Sequence, residues 1–276
     1  MIRTLPVVAR QQPVPMEIGE LTVGTICGGS DATSGLTANR AMGVAFDLLV
    51  ADGAKTLFEE TGELIGMEHL MAARAANPAL GNELKRTVAK AAAYYATLGY
   101  ASFAPGNADG GLTTIEEKSL GAYAKSGQST IVGIVKPGIE PPEKGLYLLD
   151  VVPDGEVRFG FPNINDNAEI AELIACGSQV ILFSTGRGSV VGSAIAPVIK
   201  VCANPDTYKR MEKDMDIDAG RILEGHASLP EVGREIYELV KRVGNGEPTK
   251  SESLGHQEFI LTYKSFEPLG PACLPG

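Results

Sequence analysis

Residues 21–51, LTVGTICGGSDATSGLTANRAMGVAFDLLVA, carry the clearest indication of the fold class. Its first part, Leu21 to Cys27, is rich in apolar and β-branched residues and predicts a strand. Glycine and hydroxyl residues from Gly28 to Gly35 then predict a loop, because glycine permits backbone conformations that other residues avoid. From about Asn39 to Ala51, apolar side chains recur at helical spacing and predict a helix. A strand, a glycine-rich loop and a helix in this order are typical of α/β proteins.

The rest of the chain repeats this alternation of short apolar strands and helices. Further strands are predicted at 55–60, 129–135, 146–152, 179–183, 195–201 and 256–263, and further helices at 66–76, 80–98, 167–176, 206–212 and 229–243. We therefore expect an α/β fold with a largely parallel sheet, helices on both faces and glycine-rich loops at the strand ends, which is a Rossmann-like arrangement. Residues 1–20 hold three prolines and no clear periodicity. They are expected to form a linker or arm before one α/β domain at 21–276.

A second glycine-rich stretch, PGNADGGLTTIEEKSLG at 105–121, is expected to form a loop that opens onto a helix. Thr114 followed by Glu117 fits a capping box, in which a cap residue and a glutamate three positions later bind each other's backbone. Unpaired N–H groups at a helix N-terminus suit an anion. Glu116, Glu117 and Lys118 in the first turn are candidates for metal ligation and proton transfer. The alternative is an ordinary loop before a well-capped, solvated helix.

A third glycine-rich loop, STGRGS at 184–189, follows the most strand-like segment, Gln179 to Phe183. Ligands of open parallel sheets bind beyond the carboxyl ends of the strands. The loops at 28–35, 105–111 and 184–189 all carry side chains of the kind that bind ligands. We therefore expect the three loops to form one shared site.

Composition and charge exclude several classes of protein. The net charge of −10 and the pI near 4.9 argue against a nucleic-acid-binding surface. No apolar run reaches the roughly 18 residues that span a membrane, and no signal peptide is expected. Four cysteines without a C-x-x-C pair indicate free thiols in a reducing compartment, so we expect a cytoplasmic protein. Because the chain has only three histidines, any metal must depend on carboxylates, cysteine or substrate oxygens.

Several long motifs resemble the C-terminal domain of the altronate dehydratase and galactarate dehydratase family. They are CGGSDATSGLTAN at 27–39, GNADGGLTTIEEKSLG at 106–121, FSTGRG at 183–188, PVIK at 197–200 and MDIDAG at 215–220. The likeness covers almost the whole chain from about residue 20. The same family includes the large subunit of sulfolactate sulfo-lyase, and two segments, CANP at 202–205 and LGHQEF at 254–259, look closer to that branch.

The resemblance implies a metal-assisted lyase that removes the proton α to a carboxylate and eliminates water from an aldonate or aldarate, giving a 2-keto-3-deoxy acid. It implies Fe(II), with Mn(II) or Mg(II) as alternatives. It also implies a partner, namely an N-terminal domain or small subunit of the same enzyme, and we expect a homo-oligomer. Elimination of sulfite from sulfolactate, or a non-catalytic binding or assembly role in a split enzyme, remain alternatives. Arg40 stands where the family usually has proline, and it either reshapes the helix start or adds a cation near the pocket.

The expected site residues fall into three groups. The expected metal ligands are Cys27, Asp31, Glu60 and Glu116. The expected substrate-binding residues, for a small-molecule carboxylate, are Ser30, Asp31, Thr113, Thr114, Gly186 and Arg187. The expected catalytic residues are Lys118, His256 and Glu117.

Each of the main candidates also has a purely structural interpretation. Cys27 is compatible with a small buried hydrophobic residue, and Asp31 with a cap of its own turn. Glu116 and Glu117 are compatible with first-turn acids favoured by the helix dipole, and capping is favoured for Glu117. His256, which is flanked by Gly255 and Glu258, is the candidate general acid or base among the three histidines.

Overall fold

Seven parallel strands form one sheet in the computed structural model, which describes residues 14–96, 103, 105–152, 154 and 165–260. The strands are β1 (Thr22–Cys27), β2 (Lys55–Phe58), β3 (Ile131–Val135), β4 (Gly145–Leu149), β5 (Val180–Thr185), β6 (Val198–Cys202) and β7 (Ile217–Asp218). Their order across the sheet is β3-β4-β2-β1-β5-β6-β7. The predicted α/β fold with a parallel sheet is confirmed.

The helices surround this sheet. They are α1 (Ala38–Ala51), α2 (Glu68–Ala73), α3 (Pro78–Ala96), α4 (Pro105–Asp109), α5 (Ile115–Tyr123), α6 (Asp166–Ala175), α7 (Pro205–Arg210), α8 (Leu229–Gly244) and α9 (Lys250–Leu254). Short 3₁₀ turns lie at Ile18–Glu20, Thr61–Leu64, Ala124–Ser126 and Gly220–Ile222. The bounds of α1, α3, α6 and α8 match the predicted helices closely. Among the described helices, none combines the length and the apolar character needed to cross a bilayer.

Three local predictions differ from the structure. The segment Pro105–Asp109 is a short helix rather than a loop, because proline at the first helical position is pre-organised for a helix. Residues 256–260 form no strand and pair with none of the seven strands of the described sheet. The two-residue strand β7 was not predicted. The remaining predicted strand residues 261–263 and most of the expected arm, 1–13, lie outside the described residues.

Both faces of the sheet are covered, as expected for parallel strands with continuous apolar runs. Along β5, Val180 and Leu182 belong to a core that also contains apolar side chains of α1 and α8. Ile181 and Phe183 point to the opposite face, where they share a core with side chains of α6. The strand alternation therefore supplies two apolar layers and leaves the carboxyl edge of the sheet for the loops.

The sheet has a topological switch point between β1 and β5, where the chain connections run to opposite sides of the sheet. From β1 the chain passes to β2 on one side, whereas β5, β6 and β7 extend the sheet on the other side. Cys27 at the end of β1 pairs in register with Ser184 near the end of β5. A crevice beyond two such strand ends is the usual ligand site of an open parallel sheet.

Candidate active site

The three glycine-rich loops contact one another beyond the ends of β1 and β5. The backbone N–H groups of Gly186 and Arg187 both donate to the carbonyl of Gly29, at 3.2 and 2.9 Å. The N–H of Ala32 donates to the carbonyl of Gly110 at 2.9 Å. Residues from all three loops therefore lie on one side of the sheet.

Close backbone approach explains two of the glycines at this junction. A Cβ atom on Gly186 would lie 2.1 Å from Cγ of Asp31, and one on Gly110 would lie 2.7 Å from the carbonyl oxygen of Ser30. Both distances are far below van der Waals contact, so a larger residue would push the loops apart.

A buried cluster lies at the end of β1. The Sγ atom of Cys27 is 3.1 Å from Oε1 of Glu60, 3.4 Å from Oε2 of Glu63 and 3.1 Å from Oγ of Ser30. The backbone N–H of Cys27 also donates to Oε2 of Glu60 at 3.1 Å. Cys27 and Glu60 are only 5% and 4% exposed. A thiol and two carboxylates thus share one largely dry site.

Two buried lysines complete this cluster. Lys125, in the 3₁₀ turn Ala124–Ser126, forms an ion pair with Oε2 of Glu60. Lys118, in the first turn of α5, forms an ion pair with Oε1 of Glu63. Each carboxylate therefore has one oxygen toward a lysine and the other toward the Cys27 thiol.

The backbone after β2 is what brings the two glutamates together. Glu60 adopts φ 71°, and it is the one non-glycine residue with positive φ among those the structure describes. It directly precedes the 3₁₀ turn Thr61–Leu64, in which side chains three positions apart lie on the same side. Glu60 and Glu63 have this spacing. A left-handed conformation costs a non-glycine residue about 1–3 kcal/mol, and such strain concentrates at functional sites.

Burial and neighbouring charges shift the pKa values in this cluster. Burial and the nearby Glu63 carboxylate raise the pKa of Glu60 to about 7, against the lowering effect of Lys125. Burial also acts to raise the pKa of Glu63, but Lys118 and Lys125 outweigh it and the pKa is lowered. Burial, Glu60 and Glu63 raise the pKa of the Cys27 thiol. Although burial opposes it, the acidic neighbours raise the pKa of both lysines, so both stay charged at neutral pH.

The donor set fits a divalent metal ion. The Sγ atom of Cys27 and one oxygen each of Glu60 and Glu63 lie within 4.8 Å of one another. Among the described His, Cys, Asp and Glu residues, this is the one group of three with such spacing. A thiolate ligand favours a softer ion such as Fe(II) over Mg(II), which prefers oxygen ligands alone.

A cavity of about 490 Å³ extends from this cluster to the protein surface, a volume typical of small-molecule sites. Its inner end is formed by Cys27, Glu63 and the 7% exposed Lys118. Its mouth lies between α1 and α5, where Leu36 and Leu120 are about half exposed. The cluster can therefore be reached by a small molecule.

Asp31, an expected metal ligand, lies outside the three-residue group. Its Oδ1 accepts hydrogen bonds from the backbone and the hydroxyl of both Thr33 and Ser34. Its Oδ2 accepts from the side-chain amide of Asn204 at 3.0 Å. These five bonds make Asp31 a brace of the first loop, in agreement with its structural interpretation, and metal ligation by Asp31 stays a prediction.

Glu116 is likewise absent from the group. Its Cγ lies against Gly66, 3.4 Å from where a Cβ on that glycine would stand, and Glu116 does not line the cavity. A helical turn rotates successive side chains by about 100°, so Lys118 faces the cluster while Glu116 faces elsewhere. Of the four expected ligands, Cys27 and Glu60 belong to the group of three, and Glu63 is its third member.

The capping prediction for α5 holds in part. The hydroxyl of Thr114 accepts a hydrogen bond from the backbone N–H of Glu117 at 3.2 Å. The Glu117 carboxylate, however, binds the backbone and hydroxyl of Thr113, at 2.7 and 2.5 Å, one residue before the cap. These hydrogen bonds lower the pKa of Glu117. Glu117 lines the cavity as an ionised carboxylate.

Two further candidates lie away from the cavity lining. The guanidinium of Arg187 is exposed and lies close to Gly106, and His256 is half-buried against Gly192. Substrate binding by Arg187 and proton transfer by His256 stay predictions. Ser30, by contrast, contacts the Cys27 thiol directly.

Sequence reasoning missed Glu63, Lys125 and Asp166. Glu63 had a usable signal, since it follows Glu60 by three residues directly after a predicted strand. Asp166 begins α6, and a Cβ on Gly28 would lie 2.2 Å from its carboxylate. Burial, followed by the charge of Glu63, raises the pKa of Asp166 to about 6. Lys125 belongs to no motif, and only packing places it at the cluster.

This chain is similar to known proteins over most of its length. The family described as D-galactarate/altronate dehydratase, C-terminal, matches residues 18–266. The (2R)-sulfolactate sulfo-lyase subunit beta of Chromohalobacter salexigens is 38% identical over 258 residues, which are 91% of this chain and 63% of that protein. Galactarate dehydratase (L-threo-forming) of Escherichia coli is 38% identical over 82% of this chain and 42% of its own length. Altronate dehydratase of Escherichia coli is 32% identical over 90% and 48%. The chain thus spans about half the length of these curated relatives.

Proposed function

The chain belongs to the D-galactarate/altronate dehydratase family, and from this premise we propose that it carries the catalytic centre of a hydro-lyase acting on a sugar acid. The reaction removes the proton α to a carboxylate and expels the β-hydroxyl as water, which leaves a 2-keto-3-deoxy acid. The observation that carries the proposal is the buried cluster of Cys27, Glu60 and Glu63 with two lysines, open to a cavity of about 490 Å³.

Lys118 is the residue proposed to bind the substrate carboxylate. It lines the cavity, it is nearly buried, and its raised pKa keeps it a cation at neutral pH. Loss of the α-proton places a second negative charge on the carboxylate as the enediolate forms. A fixed cation in a site of low water content stabilises this charge more than that of the bound acid, which lowers the barrier.

Cys27, Glu60 and Glu63 are the residues that would hold a divalent ion, Fe(II) first and Mn(II) or Mg(II) as alternatives. Such an ion supplies Lewis-acid polarisation of the substrate oxygens when bound. The Cys27 thiol donates to Oε1 of Glu60, and this proton would leave when the two groups bind an ion, because metal ligands must be deprotonated. Ser30 contacts the same sulfur and orients it.

Full activity is proposed to require more than this chain. Because the chain covers 63% or less of each relative described above, an N-terminal domain or small subunit of the same enzyme is the proposed partner. The described cysteines, Cys27, Cys176 and Cys202, are free thiols, which supports a cytoplasmic location. A homo-oligomer stays a prediction.

Elimination of sulfite from sulfolactate is the second candidate function. Of the relatives described above, the sulfolactate sulfo-lyase subunit is aligned over the largest share of its own length, 63%. The same cluster suits both reactions, because each begins with loss of the proton α to a carboxylate and differs only in the group that leaves.

The test is metal content and turnover in the complete enzyme that contains this chain. Altronate, galactarate and sulfolactate are the substrates, and formation of keto acid or sulfite is measured. Glu63→Gln should fold but lose both metal and turnover, because a neutral amide binds a divalent ion far more weakly than a carboxylate does. Lys118→Met should retain metal and lose turnover. Glu116→Gln, the matched control outside the cluster, should retain both.

A Glu63→Gln enzyme with normal metal content and rate would remove the cluster from the active site. Loss of metal and rate only in Glu116→Gln would return the ligand position to the first turn of α5. Circular dichroism and thermal unfolding of each variant separate these outcomes from a failure to fold.

A further inference from the structure

Arg40 lies at the mouth of the cavity whose inner end holds Cys27 and Lys118. It is the third residue of α1, and its side chain is exposed. Its Nε donates to the carbonyl of Gly35 at 3.1 Å, which anchors one edge of the guanidinium on the first glycine-rich loop. Within the described part of the chain, its two terminal nitrogens have no hydrogen bond or ion pair.

The acids that line the same cavity are all engaged elsewhere. They are Asp31, Asp47, Glu63 and Glu117. Asp31 braces its loop, Glu63 pairs with Lys118 and Glu117 binds Thr113. The Asp47 carboxylate accepts from the backbone of Gln128 and from the backbone and hydroxyl of Ser129. Among the residues that the structure describes, Arg40 therefore lines the cavity as a cation without a paired acid.

We propose that Arg40 is a specificity-determining residue that binds a second oxyanion of the substrate, at the end remote from the carboxylate assigned to Lys118. The inference rests on the proposed function, since Lys118 defines the reacting end. Two parallel N–H groups of a guanidinium match the oxygens of a carboxylate or sulfonate better than any neutral hydroxyl. The preferred substrates are then acids with two anionic groups, and sugar acids with a single carboxylate are poorer.

Cavity shape supports this assignment of ends. Lys118 is 7% exposed and lies beside the thiol, whereas Arg40 is exposed at the opening between α1 and α5. An extended acid that enters through this opening places one end against Lys118 and leaves the other near Arg40. The hydrogen bond from Nε of Arg40 to the carbonyl of Gly35 fixes one edge of the guanidinium and leaves its two terminal nitrogens for a ligand.

The test compares matched ligands in the complete enzyme. Galactarate has two carboxylates and galactonate has one; sulfolactate has a sulfonate that lactate lacks. The variants are Arg40→Gln, Arg40→Lys and, as a control, Arg86→Gln, an exposed arginine on α3 away from the cavity. Readouts are kcat and KM for the sugar acids, affinity by calorimetry for all four ligands, and assembly by gel filtration.

Arg40→Gln should lower kcat/KM for galactarate about 10- to 100-fold, chiefly through KM, because one charge-assisted interaction is lost. The change for galactonate should stay below about threefold. For Arg40→Lys, kcat/KM for galactarate should lie between the values of wild type and Arg40→Gln. Arg86→Gln should have the kcat/KM of wild type. If Arg40→Gln loses more affinity for galactarate than for sulfolactate, the group that Arg40 binds is a second carboxylate. The reverse result identifies that group as a sulfonate.

Several results would overturn the assignment. They are equal losses for the mono- and dianionic acids, no loss at all, a wild-type preference for galactonate, or dissociation of the assembly in Arg40→Gln. An enzyme that turns over none of the acids contradicts the proposed function instead. In that case calorimetry still tests the role of Arg40. If wild type and Arg40→Gln bind galactarate equally well, or if neither binds it, Arg40 does not bind the second oxyanion.

Discussion

Lys125→Met is the perturbation that most directly tests the buried charge balance. Lys125 and Glu60 are 2% and 4% exposed, and their ion pair is the principal counter-charge of the Glu60 carboxylate. Methionine fills a similar volume, so the variant removes the charge without leaving a large cavity. The remaining Glu60 would then be buried beside Glu63, a second acid.

At a pH well above 7, where the Glu60 carboxylate is ionised, loss of Lys125 leaves that charge buried without compensation, which costs about 3–5 kcal/mol. For a chain of this size we expect a fall in Tm of about 10 °C. The double variant Lys125→Met/Glu60→Gln removes both charges and should recover at least about 2 kcal/mol, since replacing both partners is often nearly neutral. The loss in the single variant should also shrink as the pH falls toward about 5, because a protonated Glu60 needs no counter-ion.

The assay is urea unfolding, with a chelator present so that metal binding does not contribute to stability. Lys209→Met is the matched control, because Lys209 forms an ion pair with Glu224 at 2.9 Å while 63% exposed. Exposed pairs of this kind contribute little to stability, so Lys209→Met should leave the free energy of unfolding nearly unchanged. A Lys125→Met cost below about 1 kcal/mol, or a double variant as unstable as the sum of the singles, would refute the reasoning.

Other substitutions test individual contacts by chemical unfolding. Thr114→Ala should lower the free energy of unfolding by about 1 kcal/mol through loss of the α5 cap, and an unchanged value would remove the cap from the fold. Gly43→Ala should cost more than about 2 kcal/mol, because its Cβ would lie 2.2 Å from the carbonyl of Ala124; Gly244→Ala, with no atom near its Cβ, is the control. The pKa of Asp166 is raised from 3.8 to about 6, so its ionisation destabilises the fold as pH rises through this window. Asp166→Asn should therefore raise stability at pH 8 by up to about 3 kcal/mol and change little at pH 4, and an equal effect at both values would contradict the shift.

Much of the fold followed from local sequence because its signals act over short distances. The apolar run at 179–183 formed β5, and the helical spacing after Asn39 formed α1. The prediction of a loop at 105–111 was wrong for its first part, because Pro105 favours a helix start and a helix extends from Pro105 to Asp109. The Thr114 cap was predictable because its partner lies only three residues away.

The candidate site was predictable only where it coincides with strand ends. Cys27 and Glu60 follow predicted strands, and glycine-rich loops next to them indicated a ligand site. Asp31 and Glu116 have equally suitable side chains, yet hydrogen bonds within the loop occupy the first and helix rotation turns the second away. Residue type and proximity to a loop do not distinguish these outcomes.

Local sequence was enough to predict the alternation of strands and helices, the glycine-rich loops at 28–35 and 184–189, and the family. Packing of the layers was needed to bring Lys125 to Glu60, 65 residues apart in the chain, and Glu63 to Cys27, 36 residues apart. Those contacts depend on the strand order β4-β2-β1-β5 and on the left-handed turn at Glu60. Apolar periodicity indicates which face of a helix or strand is buried. It does not indicate which charged side chains from distant parts of the chain are buried together. Their charges balance one another only after the layers have packed.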